Sequence, residues 1–254
     1  MDSSPRSALS GLVLSVDTAT EIMAVALLRD GQVRDRRRVD QSLGSQAREL
    51  LPLLTDLLAG EGATLADVRG WVVSRGPGSF TGIRIGLASV RALAWASRTP
   101  VFGGCTLDAL AFAAPVPPGA LALALLDARK AEVYAAAYRR TPEGLEALGA
   151  PCLVKPDAVG RLLPDDGAPV VVFGRGARRY AEAVAAALAG RAVSVLDEAF
   201  DLPDAGALAL SVAALVRQGD ADEDPFDPIY LRKPEAEEKW EAAHAAPPAP
   251  PSPR

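Results

Sequence analysis

Histidine is nearly absent from this chain of 254 residues, and its scarcity restricts the chemistry open to it. The one histidine, His244, lies in a Pro-rich C-terminal stretch. A serine nucleophile would therefore have no histidine in the folded region to serve as its base. Metal sites of the zinc or iron type need clustered ligands, and the sequence has no HExxH or similar cluster. We expect no metal site and no cofactor.

Cysteines are few, and long apolar runs are missing. Cys105 and Cys152 are far apart and form no CxxC pattern, so free buried thiols are expected. No apolar segment approaches the ~20 residues that a membrane span requires. Residues 1–10 have only a short apolar run after them, which predicts a flexible tail instead of a signal peptide. We expect a cytoplasmic protein with no membrane contact.

Basic residues are outnumbered by acidic ones. The net charge is −5 and the isoelectric point is about 5.1. Affinity for nucleic acid depends largely on Lys and Arg that neutralise phosphates, so direct binding is not expected. The basic run at residues 34–38 is interleaved with aspartates, which is typical of a solvated strand edge. Any role on a nucleic acid would pass through a partner.

Glycine, in contrast, is concentrated in residues 75–96, RGPGSFTGIRIGLASVRALAWA. An apolar run at 70–74 predicts a strand before this loop, and residues 83–97 predict a helix after it. Ser79 or Thr81 is placed to cap that helix. The motif loop consists of Gly76, Pro77, Gly78, Ser79, Phe80, Thr81 and Gly82.

Two interpretations of the motif loop stay open. Backbone N–H groups at a helix N-terminus can bind an anion. However, Ile83 and Arg84 stand where a phosphate-binding P-loop has Lys and Ser or Thr, and Pro77 removes one donor. Alternatively, the glycines let the chain turn sharply and the helix pack close to the sheet.

Two helices have wider apolar surfaces than one packing face needs. A helix predicted at 46–59 has an inward stripe that Leu53 and Leu57 widen. The stripe itself is Ala47, Leu50, Leu51, Leu54 and Leu58. The helix after the motif loop is apolar on nearly all sides. Excess apolar width indicates a second contact surface.

Four segments in order resemble the bacterial TsaB (YeaZ) family: VDTATEIMAVAL, RGPGSFTGIRIG, LDARKAEVY and PIYLR. The likeness runs from about Gly11 to Arg232. It implies an α/β, actin/Hsp70-like (ASKHA) fold of two lobes and no catalytic activity of its own. It also implies a heterodimer with the catalytic paralogue TsaD, and a larger complex with the ATPase TsaE. Together these make threonylcarbamoyladenosine next to the tRNA anticodon, so this chain would serve tRNA only indirectly.

The resemblance also implies which residues meet the partner. In the family, the two helices pack against the equivalent pair of TsaD. Carried onto this sequence, that interface comprises Leu53, Leu57, Arg84, Ala88, Arg91 and Trp95. When TsaD is absent, the same helices would form a homodimer. Gln46 stands where many relatives have a histidine.

A nucleotide site would use the first hairpin. Residues 17–21, DTATE, resemble the first phosphate hairpin of actin-like ATPases, but Ala19 replaces a glycine and Glu21 adds a negative charge. Asp127 would mark the second phosphate hairpin, and a salt bridge within its turn is the simpler interpretation. A vestigial site would comprise Asp17, Thr18 and Asp127. The alternative function is an actin-like ATP-dependent kinase or transferase that uses both aspartates. Relatives were formerly called peptidases, but this sequence contains no set of residues for peptidase catalysis.

The predicted organisation is a complete N-terminal lobe at 11–114, a hinge at 115–119 and a reduced C-terminal lobe at 120–232. Strands at 121–127 and 132–138 repeat the pattern of the first hairpin, which indicates a duplicated fold. Residues 174–176, Gly-Arg-Gly, weakly resemble an adenosine-binding loop. Residues 233–254 lack an apolar pattern, so disorder is expected.

Overall fold

Two β-sheets, each built around a buried hairpin, form the framework of the chain. A computed structural model describes residues 9–40, 46–218 and 224–233. The strands of the first sheet are β1 Leu12–Asp17, β2 Ile22–Arg29, β3 Gln32–Asp40, β4 Val68–Ser74 and β5 Val101–Gly104. Asp30 and Gly31, both with positive φ, connect β2 to β3, as their sequence predicts.

The first sheet has the order β3-β2-β1-β4-β5. β1, β2 and β3 are antiparallel, whereas β4 and β5 run parallel to β1. Three helices follow its strands: α1 Gln46–Gly60, α2 Phe80–Ser97 and α3 Thr106–Ala113. α2 begins three residues earlier than predicted because the Ser79 hydroxyl accepts a hydrogen bond from the Gly82 N–H at 3.2 Å. α1 and α2 share a core with one face of the sheet.

The second sheet repeats the first. Its strands are β6 Leu121–Asp127, β7 Val133–Thr141, β8 Gly144–Ala147, β9 Cys152–Val154, β10 Val170–Phe173 and β11 Val193–Val195. Its order is β8-β7-β6-β10-β11, with β9 also paired to β7. Apart from β9, this is the order of the first sheet. The predicted two-lobed, actin/Hsp70-like α/β fold with internal duplication is therefore confirmed.

The second lobe is reduced in its helices. α4 Arg175–Arg179 and α5 Ala181–Ala187 have 5 and 7 residues, against 15 and 18 in α1 and α2. Single-turn 3₁₀ segments at Leu65–Asp67 and Glu198–Phe200 and a longer one at Pro156–Leu162 complete the connections. The short helices cover one face of the second sheet, around Val159 and Val184.

The last helix, α6 Ala205–Gln218, returns to the first lobe. Leu208 and Val212 pack with Val13, Ala24 and Val72 on the face of the first sheet opposite α1 and α2. That face would meet water without α6, because β1 and β2 are buried on both sides. The sequence predicts this helix within the C-terminal lobe at 120–232, and the division at the hinge stays a prediction.

Two predicted segments lie outside the described residues: most of the flexible N-terminus, at 1–8, and the tail from residue 234 onward. In the part of the chain that the structure describes, no helix combines the length and the apolar character needed to cross a membrane.

Candidate functional site

The motif loop packs directly on the turn between β1 and β2. The Ser79 N–H donates to the Ala19 carbonyl oxygen at 2.6 Å. The Thr18 hydroxyl donates to the Gly82 carbonyl oxygen at 2.8 Å. A Cβ atom on Gly78 or Gly82 would lie closer than 3.0 Å to a backbone oxygen of this turn. Only glycine permits so close an approach.

The same close packing continues into α2. A Cβ atom on Gly86 would press on the Thr18 hydroxyl. Residues 18 and 19 therefore occupy the space beside the glycines of the motif loop. Of the two interpretations left open by the sequence, the geometry favours close packing over anion binding.

Asp17 lies at the centre of this arrangement and is fully enclosed. Its Oδ1 accepts the Ala19 N–H at 2.8 Å, and its Oδ2 accepts the Thr106 hydroxyl at 3.0 Å. Thr106 lies in turn 2.5 Å from the Ser74 hydroxyl. The exposed fraction of Asp17 is 0%. Burial raises the pKa of the carboxyl group, against the lowering effect of these hydrogen bonds.

Asp127 is held by a different set of groups in the second lobe. Its carboxylate pairs with the Arg179 guanidinium at 3.1 Å and accepts the Tyr180 hydroxyl at 3.0 Å. It also accepts the Arg129 N–H at 2.9 Å. Asp127 thus forms a salt bridge to α4, whereas the sequence predicts one within the turn. Asp17 and Asp127 each bond within their own lobe, which gives no support to a shared magnesium site.

The two lobes meet at a salt bridge beside the first hairpin. Arg175, at the start of α4, pairs with Glu21 of the β1–β2 turn. Gly174 and Gly176, which flank this arginine, approach the backbone at Leu125 so closely that a Cβ atom would fall within about 3.0 Å of it. The Gly-Arg-Gly sequence is thus explained by packing of α4 on β6 and does not require an adenosine ligand.

The second candidate site is the outer face of α2. Arg84, Ala88, Arg91 and Trp95 are all exposed there, and Trp95 is 84% exposed. A groove of about 630 Å³ lies beside Trp95, with Arg91, Arg98 and Phe226 in its lining. An exposed tryptophan beside an apolar groove is typical of a protein contact surface.

The α1 part of the predicted interface needs a correction. Leu57 is 1% exposed and packs in the first core, so it cannot contact a partner. Leu51, predicted to face inward, is 45% exposed. Leu50, Leu54 and Leu58 of the predicted stripe are buried, so the buried face agrees with the prediction there and includes Leu57 in place of Leu51. Leu53 is half-buried against the same core.

Sequence reasoning missed the contacts that residues 224–233 make with α2. The Tyr230 and Phe80 rings lie 4.7 Å apart, and Arg84 Nε donates to the Tyr230 hydroxyl at 3.2 Å. The Arg91 guanidinium lies 5.0 Å from the centre of the Phe226 ring. The aromatic residues in DPFDPIYLR were the available signal, but nothing in their spacing identifies the helix that they contact.

Ligands for a metal are not gathered in the described ranges. Within residues 9–40, 46–218 and 224–233, no three His, Cys, Asp or Glu side chains lie close enough together to hold a metal ion. Both cysteines are free thiols. Burial raises the pKa of the Cys105 thiol well above its ordinary value, which disfavours a reactive thiolate.

Comparisons with known proteins point in one direction. Residues 45–240 match the family model of TsaD, described as tRNA N6-adenosine threonylcarbamoyltransferase. The Escherichia coli K12 protein named tRNA threonylcarbamoyladenosine biosynthesis protein TsaB is 39% identical over 134 residues, 52% of this chain and 57% of that protein. The protein of the same name from Haemophilus influenzae is 36% identical over 123 residues, 48% and 51% of the two chains. The chain thus spans about half the length of these curated relatives.

Solved structures match over a longer stretch. YeaZ from Pseudomonas aeruginosa is 33% identical with a TM-score of 0.72, and the match covers 87% of this chain and 100% of that one. A second Pseudomonas aeruginosa structure, described as an uncharacterised protein similar to peptidase YeaZ, is 31% identical with a TM-score of 0.73 and the same coverage.

Proposed function

Because this chain belongs to the TsaB (YeaZ) family, we propose that it is a non-catalytic subunit in the synthesis of threonylcarbamoyladenosine in tRNA. It binds the catalytic paralogue TsaD and holds it in its active conformation. TsaD then transfers the threonylcarbamoyl group from its adenylate to the tRNA adenosine next to the anticodon. TsaE joins the two chains in a larger complex.

The outer face of α2 is the observation that carries this proposal. An indole that is 84% exposed gains stability when a partner covers it, because about 25 cal/mol accompanies each Å² of apolar surface buried. Arg84 and Arg91 flank Ala88 on this face. A partner helix with apolar residues at its centre and carboxylates at its edges would match this surface.

The enclosed Asp17 supports the non-catalytic part of the proposal. A carboxylate that is 0% exposed, with a hydrogen bond to each oxygen, has no open side from which a metal or phosphate could approach. The net charge of −5 opposes direct binding to tRNA, so TsaD would supply the tRNA contacts. Work on tRNA also fits a cytoplasmic location.

A homodimer is the state we expect without TsaD. The same face of α2 would then meet its copy across a two-fold axis. Addition of TsaD would convert homodimers into heterodimers, since both use one surface. A monomer at high concentration, seen by light scattering, would contradict this.

The test combines a binding and an activity measurement. Size-exclusion chromatography with light scattering would follow complex formation with the cognate TsaD, and single-turnover modification of tRNA would be measured with and without this chain. We expect a stable heterodimer, and modification that needs both chains.

A surface variant locates the interface. Ala88→Glu places a charge in the middle of the outer face of α2 without touching the core, so we expect it to abolish both complex and activity. Ala185→Glu makes the same change on the exposed side of α5 and should leave both unchanged. A normal complex with Ala88→Glu would place the interface elsewhere.

A further inference from the structure

Residues 224–233, here called the strap, run from α2 to the second lobe. At the first end, Phe226 packs against the core of the first lobe and lies under the Arg91 guanidinium. Pro225 and Phe226 form one wall of the groove beside Trp95. The strap therefore contributes to the surface on which Trp95 is exposed.

The middle of the strap fixes a second arginine of the α2 face. Arg84 Nε donates to the Tyr230 hydroxyl at 3.2 Å, while the Arg84 guanidinium lies 3.9 Å from the centre of the Phe80 ring. A long cationic side chain held by a hydrogen bond and an aromatic face loses much of its rotamer freedom before any partner arrives. Tyr230 thus preorganises Arg84.

Two hydrogen bonds tie the same part of the strap to Arg75, the residue before the motif loop. The Ile229 N–H donates to the Arg75 carbonyl oxygen at 2.7 Å. The Arg75 guanidinium returns a hydrogen bond to the Asp227 carbonyl oxygen at 3.1 Å. These two bonds fix the register in which the strap crosses the first lobe.

The far end is anchored on the second lobe. Arg232 donates to the Ala128 carbonyl oxygen at 2.5 Å and pairs with Glu132, at the β6–β7 turn. Its side chain is only 14% exposed, and Leu231 packs beside it against the second core. Charge-assisted bonds that are shielded from water hold more firmly than exposed ion pairs.

We propose that the strap is part of the surface that binds TsaD, and that Arg232 positions it. The hydrogen bond and the ion pair of Arg232 go to Ala128 and Glu132, at the β6–β7 turn of the second lobe. Arg232 acts by holding Tyr230, two residues earlier, where the hydroxyl meets Arg84. This inference rests on the proposed function, in which TsaD is the partner.

The test is a double-mutant cycle measured by titration calorimetry with the cognate TsaD. We expect Arg232→Ala and Arg84→Ala each to weaken binding to TsaD about tenfold. The double variant should bind no more weakly than either single variant, because both substitutions break the same series of contacts, from Arg232 through Tyr230 to Arg84. Arg139→Ala removes a comparable pair, with Asp166, elsewhere in the second lobe. It should leave the affinity unchanged.

The proposed role of Arg232 would be wrong if the losses of binding free energy in the two single variants add in the double variant. It would also be wrong if Arg232→Ala bound TsaD with the affinity of the parent chain. If Arg232→Ala does not fold, Tyr230→Phe serves instead, because it removes only the hydroxyl that accepts from Arg84. It should also weaken binding, and normal affinity would overturn the proposal.

A measurement without TsaD separates this step from the proposed function. Proton exchange at Arg84 Nε–H, followed by NMR in the free chain, should be faster in Arg232→Ala than in the parent. Unchanged exchange would overturn the positioning even where TsaD binds. If exchange is faster in Arg232→Ala but the parent chain does not bind TsaD, the effect of Arg232 on Arg84 would be supported and the proposed partner would be wrong.

Discussion

At the scale of single residues, the glycines of the motif loop give the clearest prediction. Gly82→Ala places a methyl group against the Thr18 carbonyl oxygen, and neither backbone can move without disturbing β1 or α2. We expect a loss of about 3 kcal/mol in the free energy of unfolding, the upper range for overpacking. Urea denaturation measures it.

Gly149→Ala is the control for this change. A Cβ atom at Gly149 meets nothing within 4 Å, and the residue does not have a positive φ. Its free energy of unfolding should change by less than about 0.5 kcal/mol. Equal effects for the two variants would contradict the role assigned to the motif loop.

Asp17 gives a pH-dependent prediction. Burial raises its pKa above the ordinary 3.8, so the folded state holds a proton that the unfolded state has already lost. The parent chain should thus lose stability as pH rises from about 3.8 through the folded-state pKa. Asp17→Asn keeps an acceptor for Ala19 and does not titrate.

Thermal unfolding at several pH values would check this. The Tm of Asp17→Asn minus that of the parent should increase from pH 4 towards pH 7, and single-turnover tRNA modification should persist. A kinase that coordinates magnesium through Asp17 would instead lose magnesium-dependent ATP binding in this variant, whatever its Tm.

The motif loop could be located from the sequence, but its contacts could not. Glycine spacing shows that something approaches closely, without showing whether it is a ligand or the chain itself. In this fold it is Thr18 and Ala19, which lie about 60 residues earlier and meet the loop only because β1 and β4 are neighbours. The contacts of Arg84 and Arg91 with the strap could not be predicted either, because these residues are also far apart in the sequence and meet only in the fold.

At the scale of elements, α1 gives a prediction that separates core from surface. Leu57→Asp buries an unpaired charge in the first core and should cost more than about 3 kcal/mol or prevent folding. Leu51→Asp alters an exposed position on the same helix and should change the free energy of unfolding by less than about 0.5 kcal/mol. Denaturant unfolding compares them.

The existence and length of α1 and most of its buried face followed from its leucines, whereas the burial of Leu57 and the exposure of Leu51 did not. With leucine at 50, 51, 53, 54, 57 and 58, several faces have almost equal apolar content. The choice among them depends on the surfaces of β2 and α2 that the helix meets, which no local pattern contains. A stable Leu57→Asp variant would show that the side of α1 that carries Leu57 is not buried in the first core.

At the scale of the whole molecule, the return of α6 predicts that the lobes cannot be separated at the hinge. A fragment of residues 1–119 would leave Val13, Ala24 and Val72 exposed on one face of the first sheet. We expect it to be unfolded or aggregated, because a sheet buried on both faces needs both covers. Circular dichroism and size-exclusion chromatography would test this.

A matched fragment, in which residues 203–218 are joined to residues 1–119 through a flexible linker, should recover a cooperative transition. Folding of the fragment without α6 would contradict the prediction. The duplication itself was predictable, since both hairpins show the same apolar pattern. The destination of α6 was not, because its apolar face would fit either sheet.

The path of α6 has a consequence for synthesis on the ribosome. Strands β1 to β5 emerge first, but one face of their sheet stays uncovered until residues 205–218 have also left the exit tunnel. At roughly 5–20 residues per second, the second lobe is made during several seconds in which that face is exposed. An N-terminal lobe of this design completes its fold only after the second lobe has been synthesised, and during that interval it is a natural client for chaperones that bind nascent chains.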